Sequence, residues 1–136
     1  PAYVHAYEWR AWVWQVKQDK AKAVADLTEA IRLDPQEALN FYRRGVLQRD
    51  LGNLEVAIAD FGEAVRLDPN DEGSFLARGY LWYSKQDADR AMADINEAIR
   101  INPKSAANYQ RRPVTWLVKG ETGTASKDHA LPTCHA

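Results

Sequence analysis

Three side chains near the C-terminus are of types that bind metal ions. Imidazole nitrogens and a cysteine thiolate suit Zn²⁺, and His129, Cys134 and His135 supply both kinds of ligand within a short segment. Their spacing matches no established metal site. We therefore interpret this segment as a solvated tail and expect neither a bound metal nor another cofactor.

Groups that could carry out catalysis are sparse in the rest of the chain. His5 has no cysteine or serine close to it in sequence that it could activate as a nucleophile. No glycine-rich loop that would cradle a phosphate is present, and the seven glycines fall where helices would pack or turn. The sequence therefore predicts a protein that is not an enzyme.

Charge and composition narrow the classes of partner. The 18 lysines and arginines nearly balance the 19 aspartates and glutamates, so no basic field is available to attract nucleic acid. No apolar run approaches the roughly 18 residues that indicate a membrane span, and we expect no membrane insertion. The composition is typical of a soluble protein, with the cytoplasm as the default compartment.

A repeat explains most of the chain. Pro35, Pro69 and Pro103 lie 34 residues apart, and each closes a similar five-residue segment. Chance does not produce matching residues at this step so often, and a period of this size is typical of helical repeat proteins. The same step relates alanines and aspartates, namely Ala23, Ala57 and Ala91; Asp26, Asp60 and Asp94; and Ala30, Ala64 and Ala98.

The pattern within each period is helical. Apolar or small residues recur at steps of three and four, as in Ala23, Leu27 and Ala30, which gives one buried stripe. We interpret Asp34 as an N-cap followed by Pro35 at the first helical position, with Glu37 completing a capping box. The predicted helices span about 4–16, 21–33, 37–50, 54–67, 71–84, 88–101 and 105–118.

This pattern resembles the tetratricopeptide repeats, whose unit is a helix-turn-helix of this length. The family's large residue early in the first helix corresponds to Tyr7, Phe41 and Phe75, and its small residue to Ala11, Gly45 and Gly79. The resemblance implies an all-α, right-handed superhelical stack of antiparallel helix pairs, with three clear repeats plus a decayed fourth. The turn inside the unit has Gly52 in the second repeat but Gln18 and Gln86 in the others, so we expect those two turns to differ. The local residues Arg44-Gly45 and Ala59-Asp60-Phe61 resemble bacterial members of the family.

The resemblance also implies a domain organisation. The array spans 1–118, with repeats at 4–37, 38–71 and 72–105 and the first helix of a fourth at 106–118. Residues 119–136 form a degenerate, flexible tail. Trp14, Trp82 and Trp116 share one repeat position that the family fills with a core tyrosine, so we expect them in the core.

In this family the first helices line a concave face that binds peptides. The function implied is a protein interaction scaffold, and the alternative is a structural unit that assembles into homo-oligomers through its ends. The family's chaperone-binding members grip a C-terminal carboxylate with a clamp of Lys, Asn and Arg. The corresponding positions here are Glu8, Trp12, Arg43, Gly73 and Ala77, and because only one of them is cationic we expect no such clamp. The predicted groove is made of first-helix residues that resemble the family's groove positions: Glu8, Trp12, Tyr42, Val46, Arg49, Leu76, Tyr80 and Tyr83.

Two further expectations concern charges and chain ends. An arginine precedes each repeated aspartate by 16 residues, which predicts an ion pair across each helix pair. The pairs would be Arg10 with Asp26, Arg44 with Asp60, Arg78 with Asp94 and Arg112 with Asp128. The first helix begins with Tyr3, Val4, Tyr7 and Trp9, which predicts an exposed apolar end that favours self-association or docking to further parts of a longer chain.

Overall fold

The computed structural model describes residues 2–105, which form six α-helices and one 3-10 turn. The helices are α1 (Ala2–Val16), α2 (Lys20–Leu33), α3 (Ala38–Asp50), α4 (Leu54–Leu67), α5 (Glu72–Ser84) and α6 (Ala88–Ile101), and Pro103–Ser105 form the 3-10 turn. Each of the six α-helices begins and ends within two residues of its predicted bounds. The described residues contain no β-strand, and the all-α fold predicted from the repeat is confirmed.

The helices pack as a stack of antiparallel pairs. The most extensive contacts join α1 with α2, α3 with α4 and α5 with α6, and the next join α2 with α3 and α4 with α5. Each helix therefore contacts mainly its neighbours in sequence, which is the quasi-one-dimensional packing of a solenoid. The predicted fourth repeat, including Trp116 and the pair Arg112 and Asp128, and the tail with His129, Cys134 and His135 lie outside the described residues.

The small residues of the repeat allow the second helices to pack closely. Ala23, Ala30, Ala57, Ala64, Ala91 and Ala98 are fully buried. Between them the large side chains of Leu27, Phe61 and Ile95 fill the centre of each pair. The stripe predicted from steps of three and four residues is thus the hydrophobic core.

The prediction that Asp34 caps the following helix is wrong. Asp34 and Asp68 are the C-caps of α2 and α4, and each carboxylate instead accepts a hydrogen bond from the amide two residues later. The N-cap of α3 is Glu37, whose carboxylate accepts from the amide of Leu39. The proline therefore lies in the turn between repeats, where its missing N–H and fixed φ cost nothing.

The three turns inside the helix pairs are alike, contrary to expectation. Gln18 and Gln86 have φ of 60° and 64°, and Gly52 has φ of 84°. In each turn this residue and the next donate backbone hydrogen bonds to the helix that is ending, for example from Gln86 to Tyr83 at 2.9 Å. The two glutamines thus adopt the left-handed conformation that glycine adopts without a steric penalty.

The left-handed conformation of these turn residues predicts how glycine substitutions change the stability of the fold. A non-glycine residue in the left-handed region destabilises the folded state by about 1–2 kcal/mol. Replacing it by glycine removes this steric cost, but glycine also raises the conformational entropy of the unfolded chain, which offsets part of the gain in stability. We expect Gln86→Gly to raise the free energy of unfolding by up to about 1 kcal/mol in urea titrations. Gly52→Gln should have the opposite effect. Equal stability of both variants and the original protein would contradict this account.

Between residues 2 and 105 no helix combines the length and apolar character needed to cross a bilayer.

Candidate functional site

Ion pairs hold the two helices of each pair in register. The arginine Nε and Nη2 of Arg44 donate to the two carboxylate oxygens of Asp60 at 2.9 and 2.7 Å. Arg10 binds Asp26 and Arg78 binds Asp94 in the same bidentate way, at 2.7–2.8 Å. The three predicted pairs within the described residues are therefore confirmed. They connect a first helix, which carries the predicted groove, to the second helix behind it.

A close contact sets the distance between the helices of each pair. A Cβ placed on Gly45 would lie 2.9 Å from the ring of Phe61, which is closer than real contacts allow. In the third pair, a Cβ placed on Gly79 would lie 3.5 Å from Cγ1 of Ile95, which corresponds to Phe61, and 3.1 Å from Cβ of Asp94. The small residue on the first helix and the large residue on the second are thus complementary in volume, and they fix how the first helices are presented.

The predicted groove residues all lie on the first helices α1, α3 and α5, and none of them is buried. Trp12 and Tyr80 occupy the same repeat position and are 53% and 56% exposed. Val46 occupies the same position in the middle repeat and packs against the cluster of Ala57, Ile58 and Phe61. This position therefore presents two large aromatic side chains around a smaller, half-buried one.

Two of the predicted groove tyrosines also serve the core. The Tyr42 ring lies 5.7 Å from that of Phe61, and Tyr83 packs against the cluster of Ala91 and Ile95. Both are half-buried. Their contribution to a peptide-binding surface is thus limited to the exposed part of each ring, as is that of half-buried Leu76.

Glu8 joins the first two helix pairs. Its carboxylate accepts a hydrogen bond from Nδ2 of the buried Asn40 at 2.7 Å and lies 2.9 Å from Nδ1 of His5. Burial raises the pKa of Glu8, but the hydrogen bonds from His5 and Asn40 and the nearby charge of Arg43 outweigh it, and the pKa of this carboxyl is lowered. Glu8 therefore stays negatively charged at neutral pH.

Arg49 is the cationic member of the predicted groove. Its guanidinium donates to the neighbouring Asp50 at 3.1 and 3.2 Å. Because this pair is solvent-exposed, it stabilises the fold by less than about 1 kcal/mol. Arg49 therefore remains available to contact another molecule.

Trp14 and Trp82 are half-buried and pack against core clusters, which confirms their expected core position. The sequence did not indicate that a cation covers each ring. Lys22 Nζ lies 4.4 Å from the Trp14 ring centroid, and the Arg90 guanidinium carbon lies 4.5 Å from that of Trp82. The signal in the sequence that could have indicated these contacts is a lysine or arginine eight residues after each tryptophan.

The outer face of α1 is apolar and exposed. Trp9 and Trp12 stack with centroids 5.2 Å apart, and Trp9 and Val16 are 67% and 63% exposed. Tyr3 is exposed as predicted, whereas Val4 is buried and Tyr7 is half-buried. The expected apolar end is therefore present, but it is formed mainly by the tryptophan stack and Val16.

Three solved structures share this fold. The first TPR of Spaghetti (RPAP3), bound to the HSP90 peptide SRMEEVD, is 19% identical with a TM-score of 0.73, over 81% of this chain and 89% of that chain. The TPR2B domain of yeast Sti1, in a complex with pHsp70, is 20% identical with a TM-score of 0.73, over 86% of this chain and 94% of that chain. MamA is 20% identical with a TM-score of 0.76, over 86% and 68% of the two chains.

Sequence comparison adds the family. No curated protein matches the chain. A family model described as a tetratricopeptide repeat matches residues 42–106, and the 34-residue period extends the same pattern through the first helix pair. Together with the stacked helix pairs and the likeness in fold to solved repeat domains, this match shows that residues 42–106 carry tetratricopeptide repeats.

Proposed function

We propose that this chain is a protein interaction scaffold that binds a peptide or partner protein along the predicted groove. The observation that carries the proposal is the exposure of Trp12 and Tyr80 at one repeat position. Large aromatic side chains are common interface anchors because they offer much contact area with few rotatable bonds to freeze. More than half of each residue's surface is accessible, which supports a binding role over the alternative that these side chains merely fill space between first helices.

The chemistry of the groove favours a mostly apolar peptide with one charged group. The solved Spaghetti repeat holds a peptide, SRMEEVD, that is rich in carboxylates. Of the five positions that correspond to a carboxylate clamp, only Arg43 is cationic. Glu8 keeps its negative charge, and Trp12, Gly73 and Ala77 are uncharged. Like charges across an interface weaken binding, so an acidic chain end is a poor partner.

The test begins with peptides selected against the original protein. Because an interface anchor contributes more than about 1.4 kcal/mol, we expect Trp12→Ala and Tyr80→Ala each to weaken the selected peptide by about tenfold or more in isothermal titration calorimetry. Both side chains are largely exposed, so the free energy of unfolding should change little.

Tyr3→Ala is the matched control. Tyr3 is an exposed tyrosine on a first helix that lies outside the predicted groove, and its removal should leave affinity unchanged. If Trp12→Ala and Tyr80→Ala fold normally and bind with the original affinity, the groove is elsewhere. If Tyr3→Ala weakens binding equally, the effect is not specific to the groove.

The exposed face of α1 favours a second function, assembly into homo-oligomers. The interior residues at the position of Trp9 are Arg43 and Ala77, and those at the position of Val16 are Asp50 and Ser84. α1 thus carries large apolar groups where the interior first helices carry small or polar ones. Exposed apolar patches of this kind mark surfaces that contact another protein, so this face is suited to such a contact.

Sedimentation velocity over a dilution series distinguishes the two functions. If the α1 face mediates assembly, the sedimentation coefficient should rise with concentration, and Trp9→Ser should abolish the rise. Tyr80→Ala, which changes only the groove, should leave it intact. A strictly monomeric profile at high concentration would exclude assembly through this face and leave the peptide-binding proposal unaffected.

A further inference from the structure

A second surface feature lies away from the predicted groove, between α4, α5 and α6. It is a cavity of about 290 Å³ lined by Ile58, Arg78, Trp82, Arg90, Ala93 and Asp94. Ile58 lies on α4, so the cavity is formed between the second helix of one pair and both helices of the next. This cavity is largely open to solvent, and its volume exceeds that of the enclosed apolar cavity of about 150 Å³ that holds a benzene ring, so a substituted ring can lie in it.

The repeat shows a difference in the polar groups that face the arginine of the ion pair. One period earlier, Thr28 Oγ1 accepts a hydrogen bond from Arg44 Nη1 at 3.3 Å and donates to the carbonyl of Val24 at 2.8 Å. The residue that corresponds to Thr28 is Gly62, which has no side-chain oxygen. A Cβ built on Gly62 would lie 3.6 Å from Arg78 Nη1, so this donor faces the place that a hydroxyl occupies in the preceding pair.

The side chains that line the cavity indicate which other ligand groups it would accept. Trp82 replaces the Gln48 of the preceding pair and, with Ile58, gives the cavity an apolar side, while Arg90 covers the indole at 4.5 Å. Gly62 follows Ile58 by one helical turn and lies on the same face. The apolar side and the Nη1 donor are therefore next to each other.

The two guanidinium groups are already neutralised. Asp94 accepts from Nε and Nη2 of Arg78 at 2.8 and 2.7 Å, and Asp87 lies 3.5 Å from Nε of Arg90. A further anion would gain little Coulomb energy and would lie close to the carboxylate of Asp94. A neutral oxygen suffices to accept from Nη1.

We propose that this cavity is a second binding site, distinct from the groove, for a compact apolar or aromatic group that carries a neutral hydrogen-bond acceptor, either a carbonyl or a hydroxyl. The acceptor takes the place of the Thr28 hydroxyl at Arg78 Nη1, and the apolar part packs against Trp82 and Ile58.

Benzamide is a suitable probe because it joins a carbonyl to an aromatic ring. In a heteronuclear NMR titration, benzamide should shift the Trp82 indole N–H and the Arg78 Nε–H resonances saturably. Toluene, which lacks the acceptor, should bind at least about fivefold more weakly, since it offers Nη1 no hydrogen-bond acceptor. Benzoate should bind no more tightly than benzamide.

Gly62→Thr tests the position of the acceptor. It restores the hydroxyl that the preceding pair has, and we expect benzamide affinity to fall by about tenfold or more. Val56→Thr, an exposed substitution on the same helix, should leave affinity unchanged, and Gly62→Ser provides a second hydroxyl variant if the threonine does not fit. Absence of shifts at Trp82 and Arg78, undiminished binding to the folded Gly62 variant, or tighter binding of benzoate would overturn the proposal.

Discussion

Asp60→Ala should lower the free energy of unfolding by about 3 kcal/mol or more. The pair that it breaks is the most buried of the three, since the side chains of Arg44 and Asp60 are only 18% and 5% exposed. Removing the carboxylate leaves the guanidinium largely desolvated without its counter-charge, and breaking such a pair costs about 3–5 kcal/mol. Urea unfolding followed by far-ultraviolet circular dichroism measures the loss.

Two further variants separate this effect from ordinary helix changes. Glu63→Ala removes an acidic residue from the same helix, but its partner Arg66 is 60% exposed, and we expect a loss below about 1 kcal/mol. Arg44→Leu together with Asp60→Leu removes both charges at once, so the double variant should be clearly more stable than Asp60→Ala. An Asp60→Ala protein that unfolds like the original would show that the pair contributes nothing.

The ion pairs also show how far the repeat could be read from the sequence. A spacing of 16 residues predicted that Arg44 would contact Asp60 because the length of a helix-turn-helix returns the chain to the same level. The same logic located all six described helices. The 34-residue period shows which residues occupy the same position in successive repeats. A spacing that recurs at such positions is enough to deduce a contact between the two helices of a pair.

Local backbone geometry was harder to deduce. Asp34 next to Pro35 has the composition of a helix start, yet Asp34 is a C-cap and the proline lies in the turn, because helix α3 begins only after Glu37. Glutamine is uncommon in the left-handed region, and only its equivalence with Gly52 in the repeat indicates that Gln18 adopts it. Tertiary packing of the two helices imposes that turn against the preference of the residue.

The candidate sites depend on differences between repeats rather than on the period itself. Trp12 and Tyr80 could be assigned to exposed groove positions from the register, but the degree of their exposure required the packed structure. Beside the cavity at Trp82, Gly62 takes the place of Thr28, and this difference has no visible consequence until Arg78 is placed opposite it. Sequence reasoning therefore missed that cavity.

The same complementarity between repeats predicts the effect of filling a glycine. Gly45→Ala should lower the free energy of unfolding by about 1–2 kcal/mol, although alanine is the better helix former by about 1 kcal/mol. The reason is that the new methyl group would meet the Phe61 ring at 2.9 Å inside a packed core, and overpacking costs about 1–3 kcal/mol. Thermal and urea unfolding both measure the change.

Gly62→Ala supplies the control, because Gly62 also lies in a helix and its added Cβ would meet only the flexible end of Arg78 at 3.6 Å. It should gain helix propensity without a clash and raise the free energy of unfolding by up to about 1 kcal/mol. In the first helix pair the residues corresponding to Gly45 and Phe61 are Ala11 and Leu27, both fully buried. Phe61→Leu should therefore recover part of the stability that Gly45→Ala loses, because the smaller side chain recreates the volume match of that pair. If Gly45→Ala is as stable as Gly62→Ala, or if Phe61→Leu makes it less stable still, the close approach of Gly45 to Phe61 does not set the spacing of the helices.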